Sequence, residues 1–319
     1  MRLRPRIDGQ QLNPVLTGLA PAATALLSYA ARRPSAPIRK VLDANFAVLT
    51  VNQRADSPVR ELTIPGADGG TLPTRFYEPE GIDALPGLLV YYHGGGWTVG
   101  SVDSHQNLCR FIAARARCKV LSIGYRKAPE HRFPAAWEDA VAAYEWARDH
   151  AELLGIDPSR IAVGGDSAGG NLAAAVALAI DDADRRPAFA WLNYPLVDAD
   201  VDAYPSAHLF ATGLILTRQN LRDMVHQYAP RPAQQLDPRV SLIKSDVLDR
   251  MPPTYISTAG MDPLRDQGER FAEKLREAGV TVQLERFDNL PHAFQVLLID
   301  PESLHATEAT CDALAAALK

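Results

Sequence analysis

The sequence has few of the residue patterns that mark specialised classes of protein. Only three cysteines occur in 319 residues, and none forms a Cys-x-x-Cys pair. The chain therefore lacks the cysteine content of a disulfide-stapled extracellular fold. We expect Cys109, Cys118 and Cys311 to be reduced thiols in the core. No His-Glu-x-x-His pattern or His/Asp cluster is present, so the sequence predicts no metal and no cofactor.

An excess of positive charge is also missing. Lys and Arg together number 33 against 38 for Asp and Glu, which gives a formal net charge of -5. A chain of this charge has no overall basic field to hold a polyphosphate. We therefore expect no nucleic-acid partner.

No long uninterrupted hydrophobic run occurs. Residues 10–31 are uncharged and follow a basic start, but Pro14 and Pro21 interrupt them and polar amides dilute their beginning. A membrane span needs about 20 predominantly apolar residues. We therefore expect neither a signal peptide nor a membrane contact, and we predict a cytoplasmic protein.

The sequence does contain a clear alternation of strand and helix patterns. With 47% hydrophobic and 22% charged residues, its composition is that of an ordinary globular protein. From residue 88 onward, short apolar runs alternate with longer helical patterns, which predicts an α/β fold with a mostly parallel sheet flanked by helices. The predicted strands are 88–92, 119–123, 160–164, 189–194, 254–257 and 280–287. The predicted helices are 106–116, 135–148, 168–180 and 266–278.

Two helical segments fall outside this alternation. The first 50 or so residues show helical spacing, and a stretch at about 200–228 separates two strands without a strand pattern of its own. Together they predict a helical cap. We assign residues 1–55 to its N-terminal part and 56–319 to a catalytic domain that carries the second part as an insertion. Residues 56–80, rich in Gly, Pro and Thr, are typical of a hairpin that opens the sheet.

A G-x-S-x-G motif lies between a strand pattern and a helix pattern. It reads Gly165-Asp166-Ser167-Ala168-Gly169, in the strand-turn-helix context that a nucleophilic serine requires. The sharp turn strains the backbone of the serine and leaves little room for side chains at the flanking positions. Ser167 is therefore the candidate nucleophile.

A run of three glycines follows the first predicted inner strand. In His93-Gly94-Gly95-Gly96-Trp97, backbone N–H groups can approach a substrate closely. With the N–H of Ala168 they could hold the oxyanion of a tetrahedral intermediate. Which two of the three glycines donate stays open. A phosphate-binding loop is the alternative, but the run lacks the Gly-Lys-Ser/Thr ending of a P-loop.

A serine nucleophile needs a base and an acid further along the chain. His292 is the best-placed histidine, because it follows the last predicted strand. By contrast, His208 and His226 fall in the cap segment and His305 in a terminal helix. Asp262 follows the strand predicted at 254–257 and is the candidate acid. Asp266 is the alternative, although it begins the next helix and suits a helix cap.

Four motifs in this order resemble those of the hormone-sensitive lipase family of α/β-hydrolases, also known as bacterial esterase family IV. The likeness extends from about residue 69 to the C-terminus. Lys127 and Gln267 depart from the residues common in that family. The motifs are His93-Gly94-Gly95-Gly96-Trp97, Gly165-Asp166-Ser167-Ala168-Gly169-Gly170-Asn171, Asp262-Pro263-Leu264-Arg265-Asp266 and His292-Ala293-Phe294.

The resemblance implies an α/β-hydrolase fold and the roles of several residues. Ser167 would be the nucleophile, His292 the general base and then acid, and Asp262 the residue that orients His292. The N–H groups of Gly94, Gly95, Gly96 and Ala168 supply the candidate oxyanion hole. The resemblance also implies cis peptide bonds before Pro129 and Pro134.

The predicted activity is hydrolysis of short- to medium-chain acyl esters through an acyl-enzyme. Trp97, Phe210, Leu214 and Ile215 are the candidate substrate-binding residues, although simple core packing explains the three cap residues equally well. An amidase or lactonase would use the same triad, and a non-catalytic ligand-binding protein is a further alternative. The partner is then a small ester. The strand near 281–287 and the helix after Pro301 could also pair two subunits as a homodimer, or simply close the sheet.

Overall fold

The apolar runs that follow residue 87 form the inner strands of one large sheet. The computed structural model describes residues 6–7, 10–11, 14–50, 57–82 and 84–319. β1 and β2 form a small antiparallel pair, and the other eight strands lie in the order β10-β9-β8-β7-β5-β6-β4-β3. The strands are β1 (Arg6–Ile7), β2 (Gln10–Gln11), β3 (Val59–Pro65), β4 (Thr71–Tyr77), β5 (Leu88–Tyr92), β6 (Lys119–Ile123), β7 (Ile161–Asp166), β8 (Phe189–Asn193), β9 (Thr254–Met261) and β10 (Val282–Pro291).

The strands from β10 to β6 in this order pair in parallel, and β4 and β3 complete the sheet as an antiparallel hairpin. Every residue of β5 and β7 is buried, as parallel strands covered on both faces require. The prediction of a mostly parallel α/β sheet opened by a hairpin is confirmed. The strands predicted at 88–92 and 119–123 have the observed bounds.

Three strands continue beyond their predicted ends, and β7 does so by two residues, to Asp166. β9 continues to Met261 instead of ending at residue 257, and β10 ends at Pro291 instead of 287. The extension depends on a close approach of the two backbones. A β-carbon at Gly260 would lie 2.1 Å from the carbonyl oxygen of Asp288, so only glycine fits there.

Helices cover both faces of the sheet. α3 and α11 pack on one face, where the three cysteines are buried as free thiols, which confirms the prediction for them. α4, α6 and α10 pack on the other face. The helices are α1 (Pro14–Arg32), α2 (Ala36–Leu49), α3 (Gln106–Ala116), α4 (Ala135–Asp149), α5 (Ala151–Leu154), α6 (Ala168–Ala179), α7 (Pro205–Leu209), α8 (Arg218–Tyr228), α9 (Pro232–Gln235), α10 (Arg265–Glu277) and α11 (Pro301–Ala317).

Four helices lie apart from these layers: α1 and α2 of the N-terminal region, and α7 and α8 of the segment at 200–228. We refer to these four as the cap. α1 packs against α8. The guanidinium of Arg39 on α2 donates to the carbonyl oxygens of Thr98 and Ala128 at 2.7 and 2.8 Å, which ties α2 to the loops after β5 and β6. Residues 55 and 56, between which the two domains are predicted to divide, both lie outside the described residues.

The uncharged segment at 10–31 contributes most of α1. That helix contains Pro21 in its interior. Within the described ranges, no helix combines the length and the apolar character that a membrane span requires.

Candidate active site

Ser167 lies at a sharp turn between β7 and α6. Its backbone has φ 54° and ψ -118°, a conformation that residues other than glycine rarely adopt. A β-carbon at Gly165 or Gly169 would lie 2.2 or 1.9 Å from the carbonyl oxygen of Tyr92. The two glycines therefore let the turn pack directly against β5 while it holds the serine.

Asp262 and His292 are brought together by the pairing of β9 with β10. Each directly follows the last residue of its strand, and those last residues, Met261 and Pro291, are partners in the register. Nδ1 of His292 lies 2.7 Å from Oδ2 of Asp262. Because a carboxylate only accepts hydrogen bonds, Nδ1 carries the proton and Nε2 is left as an acceptor.

The hydroxyl of Ser167 faces that acceptor. Its Oγ lies 2.9 Å from Nε2 of His292. Ser167 is 9% exposed, His292 5% and Asp262 0%, so bulk water screens these interactions little. Tyr194 packs edge-on against the His292 ring with the centroids 4.9 Å apart, which limits rotation of the imidazole. The structure thus brings the three candidate triad residues into one hydrogen-bonded chain.

The alternative acid, Asp266, is engaged elsewhere. Its Oδ2 accepts from the amide of Ser206 on α7 at 2.7 Å, and its Oδ1 accepts from Nε of Arg265 at 2.9 Å. Asp266 lies in the first turn of α10, where the helix dipole stabilises a negative charge. Its hydrogen bonds connect α7 of the cap to α10, and the carboxylate that contacts His292 is that of Asp262.

The backbone amides of the glycine loop after β5 differ in whether they already have a hydrogen-bond acceptor. The N–H of Gly94 donates to Oδ1 of Asp166 at 2.8 Å, so this candidate oxyanion donor is already used. Gly95 and Gly96 have φ values of 115° and 58°. Their amides, and that of Ala168 at the start of α6, meet no acceptor in the part of the chain that the structure describes. These three amides are the donors that remain for an oxyanion.

Asp166 is a functional candidate that the sequence analysis did not single out. Its Oδ1 accepts from the hydroxyl of Tyr91 at 2.6 Å, and Nε2 of His105 lies 3.4 Å away. Burial raises the pKa of Asp166, but the His105 ring and the hydrogen bonds from Tyr91 and Gly94 together outweigh burial, so the pKa lies below its ordinary value. The signal in the sequence is an ionisable residue directly before the serine, where burial demands partners.

A small cavity of about 50 Å³ opens at the Ser167 hydroxyl. Ser167, His292 and the three glycines line it, together with His105 and Asp166. Its other side is closed by apolar side chains from the cap and from the segment between α7 and α8. These side chains are Leu27, Phe46, Ile215, Leu216 and Met224. We call it the catalytic cavity.

Of the four predicted substrate-binding residues, only Ile215 lines the catalytic cavity. Trp97 is fully buried and stacks on Tyr228 with centroids 4.5 Å apart. Phe210 is 2% exposed, and the guanidinium of Arg265 lies 5.5 Å from its ring. Leu214 packs against the hydrophobic core. Their positions in the sequence are close to the site, but their side chains point into packed regions.

Sequence reasoning missed Leu27, Phe46 and Met224, which belong to α1, α2 and α8. The amphipathic pattern of these helices shows an apolar face, but it does not tell what that face covers.

Within the described ranges, no group of three or more His, Cys, Asp or Glu side chains is arranged to hold a metal ion.

The fold and the site define a hydrolase of the α/β-hydrolase class with a Ser-His-Asp arrangement. A family model described as "alpha/beta hydrolase fold" matches residues 89–296. The chain therefore belongs to the hormone-sensitive lipase family of α/β-hydrolase carboxylesterases, which confirms the resemblance stated from its motifs. The cis peptide bonds before Pro129 and Pro134 that this resemblance implies are also present.

Several proteins that this chain is similar to are named as esterases or ester hydrolases. The chain is 46% identical to the carboxylic ester hydrolase LipN of Mycobacterium tuberculosis over 244 residues, which cover 74% of this chain and 64% of LipN. It is 42% identical to the ethyl acetate hydrolase of Pseudomonas putida, covering 76% of this chain and 77% of that protein. The solved structure of a hyperthermophilic esterase from Pyrobaculum calidifontis matches with a TM-score of 0.86 at 34% identity, over 96% of this chain and 98% of that chain.

Proposed function

We propose that this carboxylesterase hydrolyses short- to medium-chain acyl esters, with Ser167 as nucleophile, His292 as general base and Asp262 as its orienting acid. The observation that carries the proposal is the buried hydrogen-bonded chain from Ser167 through His292 to Asp262, beside three backbone amides that have no acceptor among the described residues. An acyl-transfer site needs these two parts next to each other.

The reaction follows from the direction of these hydrogen bonds. As Oγ of Ser167 bonds to the ester carbonyl carbon, its proton passes to Nε2 of His292. The positive imidazolium is stabilised by Asp262 at Nδ1, and the negative carbonyl oxygen by amides of Gly95, Gly96 and Ala168. His292 then gives the proton to the departing alcohol. Water repeats the sequence on the acyl-serine and releases the acid.

The size and the walls of the catalytic cavity support a preference for short acyl chains. Its volume of about 50 Å³ leaves room for only a small group beside Ser167. Its cap side is lined by apolar side chains, which favour an alkyl group over a charged one. The similarity to a protein named ethyl acetate hydrolase points the same way.

The roles of the triad are tested by substitution. Ser167→Ala should fold and lose kcat by at least about 10⁴-fold, and His292→Gln and Asp262→Asn should lower it strongly and non-additively with Ser167→Ala. Ser122→Ala is a matched control, because Ser122 is also a buried serine, on β6, and is absent from the lining of the catalytic cavity. Turnover of nitrophenyl acetate by folded Ser167→Ala at the wild-type rate would refute the assignment.

The substrate class is tested with a panel. Nitrophenyl esters of increasing acyl length should show a maximum at short chains. An amide and a lactone of matched size should be hydrolysed much more slowly. Faster hydrolysis of either one would favour the amidase or lactonase function that the same triad could perform.

We further propose a cytoplasmic location, a self-paired form, and a cap that roofs the site as one unit. The cytoplasmic location is supported by the three free buried thiols, which suit a reducing compartment.

The self-paired form is supported by the sheet order. β10 is the last strand of the large sheet, so its outer edge is available for a second copy of the chain. Small-angle scattering of the purified chain tests the pairing, and a particle of 34.7 kDa at all concentrations would contradict it.

A further inference from the structure

A second and much larger cavity lies inside the cap. Its volume is about 490 Å³, roughly ten times that of the catalytic cavity. It opens between α1 and α2, and we call it the cap cavity. Its lining residues are Ala22, Ala23, Leu26, Leu27, Leu42, Ala44, Asn45, Phe46, Val48, Leu49 and Ile215.

The chemistry of this lining selects for a neutral apolar group. Among the described lining residues, Asn45 alone is polar, and its side-chain N–H group already donates to the carbonyl oxygen of Val41 at 2.7 Å. None of these described residues is charged, so a carboxylate or phosphate would find no ionic partner among them. Four of the lining residues, Ala22, Ala44, Asn45 and Val48, are exposed, so the cap cavity opens to solvent. An open apolar cleft next to the catalytic cavity is well suited to a hydrocarbon chain.

Three side chains separate the two cavities. Leu27, Phe46 and Ile215 line both of them. Leu27 and Ile215 are 8% and 6% exposed, whereas Phe46 is only half-buried. The ring centroid of Phe46 lies 6.4 Å from that of His105, which itself lines the catalytic cavity. Phe46 is thus the largest side chain in the shared wall and the least enclosed of the three.

We propose that the cap cavity binds an unbranched apolar chain of the ester, and that Phe46 is the gate residue that limits access to it from Ser167. The inference rests on the proposed function, because it concerns the substrate of the same site. A chain longer than the catalytic cavity holds must displace the Phe46 ring to continue into the cap cavity. The chain could belong to the acyl group or to the alcohol, since both are apolar and both start near Ser167.

The test compares chain-length profiles of the wild type and Phe46→Ala. The measured quantity is the ratio of kcat/KM for an eight-carbon ester to kcat/KM for its two-carbon counterpart. Nitrophenyl octanoate is compared with nitrophenyl acetate, and octyl acetate with ethyl acetate. Each methylene that gains burial favours binding about fourfold, so the ratio should rise by about tenfold or more in Phe46→Ala. Nitrophenyl octanoate places the chain on the acyl side and octyl acetate on the alcohol side. A rise with either ester supports the proposal and identifies the side.

A second substitution distinguishes an opened gate from a loosened site. Ala23 lines the cap cavity and is absent from the lining of the catalytic cavity, so a phenylalanine at this position should occupy part of the former. The substitution is Ala23→Phe. Combined with Phe46→Ala, it should return the ratio to near the wild-type value. Val41→Ala is the matched control on α2, because Val41 is 51% exposed and lines neither cavity. It should leave the profile unchanged.

The outcomes separate this inference from the proposed function. Suppose that the two-carbon esters are hydrolysed but the ratio does not rise with either eight-carbon ester, or that the rise persists when Ala23→Phe is added. The gate role of Phe46 is then refuted, and the proposed esterase function is retained. If no ester is hydrolysed by the wild type, the proposed function fails first. Should Phe46→Ala fail to fold, Phe46→Leu keeps the helix face apolar and should raise the ratio by a smaller factor.

Discussion

Asp166→Asn probes a buried carboxylate that holds the oxyanion loop in place. In the wild type, Oδ1 of Asp166 accepts from the Gly94 amide at 2.8 Å and from the Tyr91 hydroxyl at 2.6 Å. The substitution keeps the shape of the side chain and removes its charge. Because Gly94 directly precedes the two candidate donors Gly95 and Gly96, a weaker anchor should displace both.

The size of the effect follows from the change in hydrogen-bond type. A hydrogen bond to a charged group stabilises by about 1.5–3 kcal/mol and a neutral one by about 0.5–1.5 kcal/mol. With two short bonds affected, the free energy of unfolding at pH 7 should fall by about 2–3 kcal/mol. Loss of one oxyanion donor costs about 10²–10³ in kcat, so displacement of the loop should lower kcat by about tenfold.

The difference in stability should also depend on pH. The folded-state pKa of Asp166 lies below its ordinary value, so its carboxylate stabilises the fold at pH values above the unfolded-state pKa of about 3.9. This contribution is lost as the pH falls through the lower pKa of the folded state. The stability difference between the wild type and Asp166→Asn should therefore be largest near neutral pH and shrink below pH about 4.

Urea unfolding at several pH values and ester kinetics measure these effects. Asp198→Asn is the matched control, since Asp198 is a carboxylate only 5% exposed that accepts from the Tyr204 hydroxyl at 2.9 Å, outside the catalytic cavity. It should lose stability and keep kcat. If Asp166→Asn matches the wild type in both stability at pH 7 and kcat, the anchoring role is wrong.

The sequence was sufficient for the parts of the fold that local patterns control. β5, β6 and α3 have their predicted bounds, because each is a run of uniform pattern ended by a change of residue type. α4, α6 and α10 differ from prediction by one residue at their ends. Ser167, Asp262 and His292 could be paired in advance, since ends of parallel strands meet at one edge of a sheet.

The contacts of individual side chains could not be predicted in this way. Trp97 adjoins the glycine loop in sequence, yet it stacks on Tyr228, because its direction depends on where α8 packs. The occupied amide of Gly94 depends on Asp166, which lies 72 positions away. Phe46 lines the catalytic cavity from α2, a helix that Arg39 ties to Thr98 in the loop after β5. Each of these facts is set by tertiary packing between distant segments.

Two further predictions concern the packing of the core. Burial raises the pKa of Cys118 to about 12 and also raises those of Cys109 and Cys311, so only about 10⁻⁴ of such a thiol is ionised at pH 8. Iodoacetamide should therefore label all three cysteines in denaturant and none rapidly in the native protein, as read by mass spectrometry, and fast native labelling would contradict their burial. Gly169→Ala should lower the free energy of unfolding by more than about 3 kcal/mol, because the added β-carbon collides with the backbone of β5 at Tyr92. Gly18→Ala is the counterpart in α1, where nothing lies within 4 Å, and it should stabilise by about 0.5–1 kcal/mol. Equal stability of the two variants in urea would show that β5 can move away from the serine turn, and the fixed position of Ser167 beside the glycine loop would then need another cause.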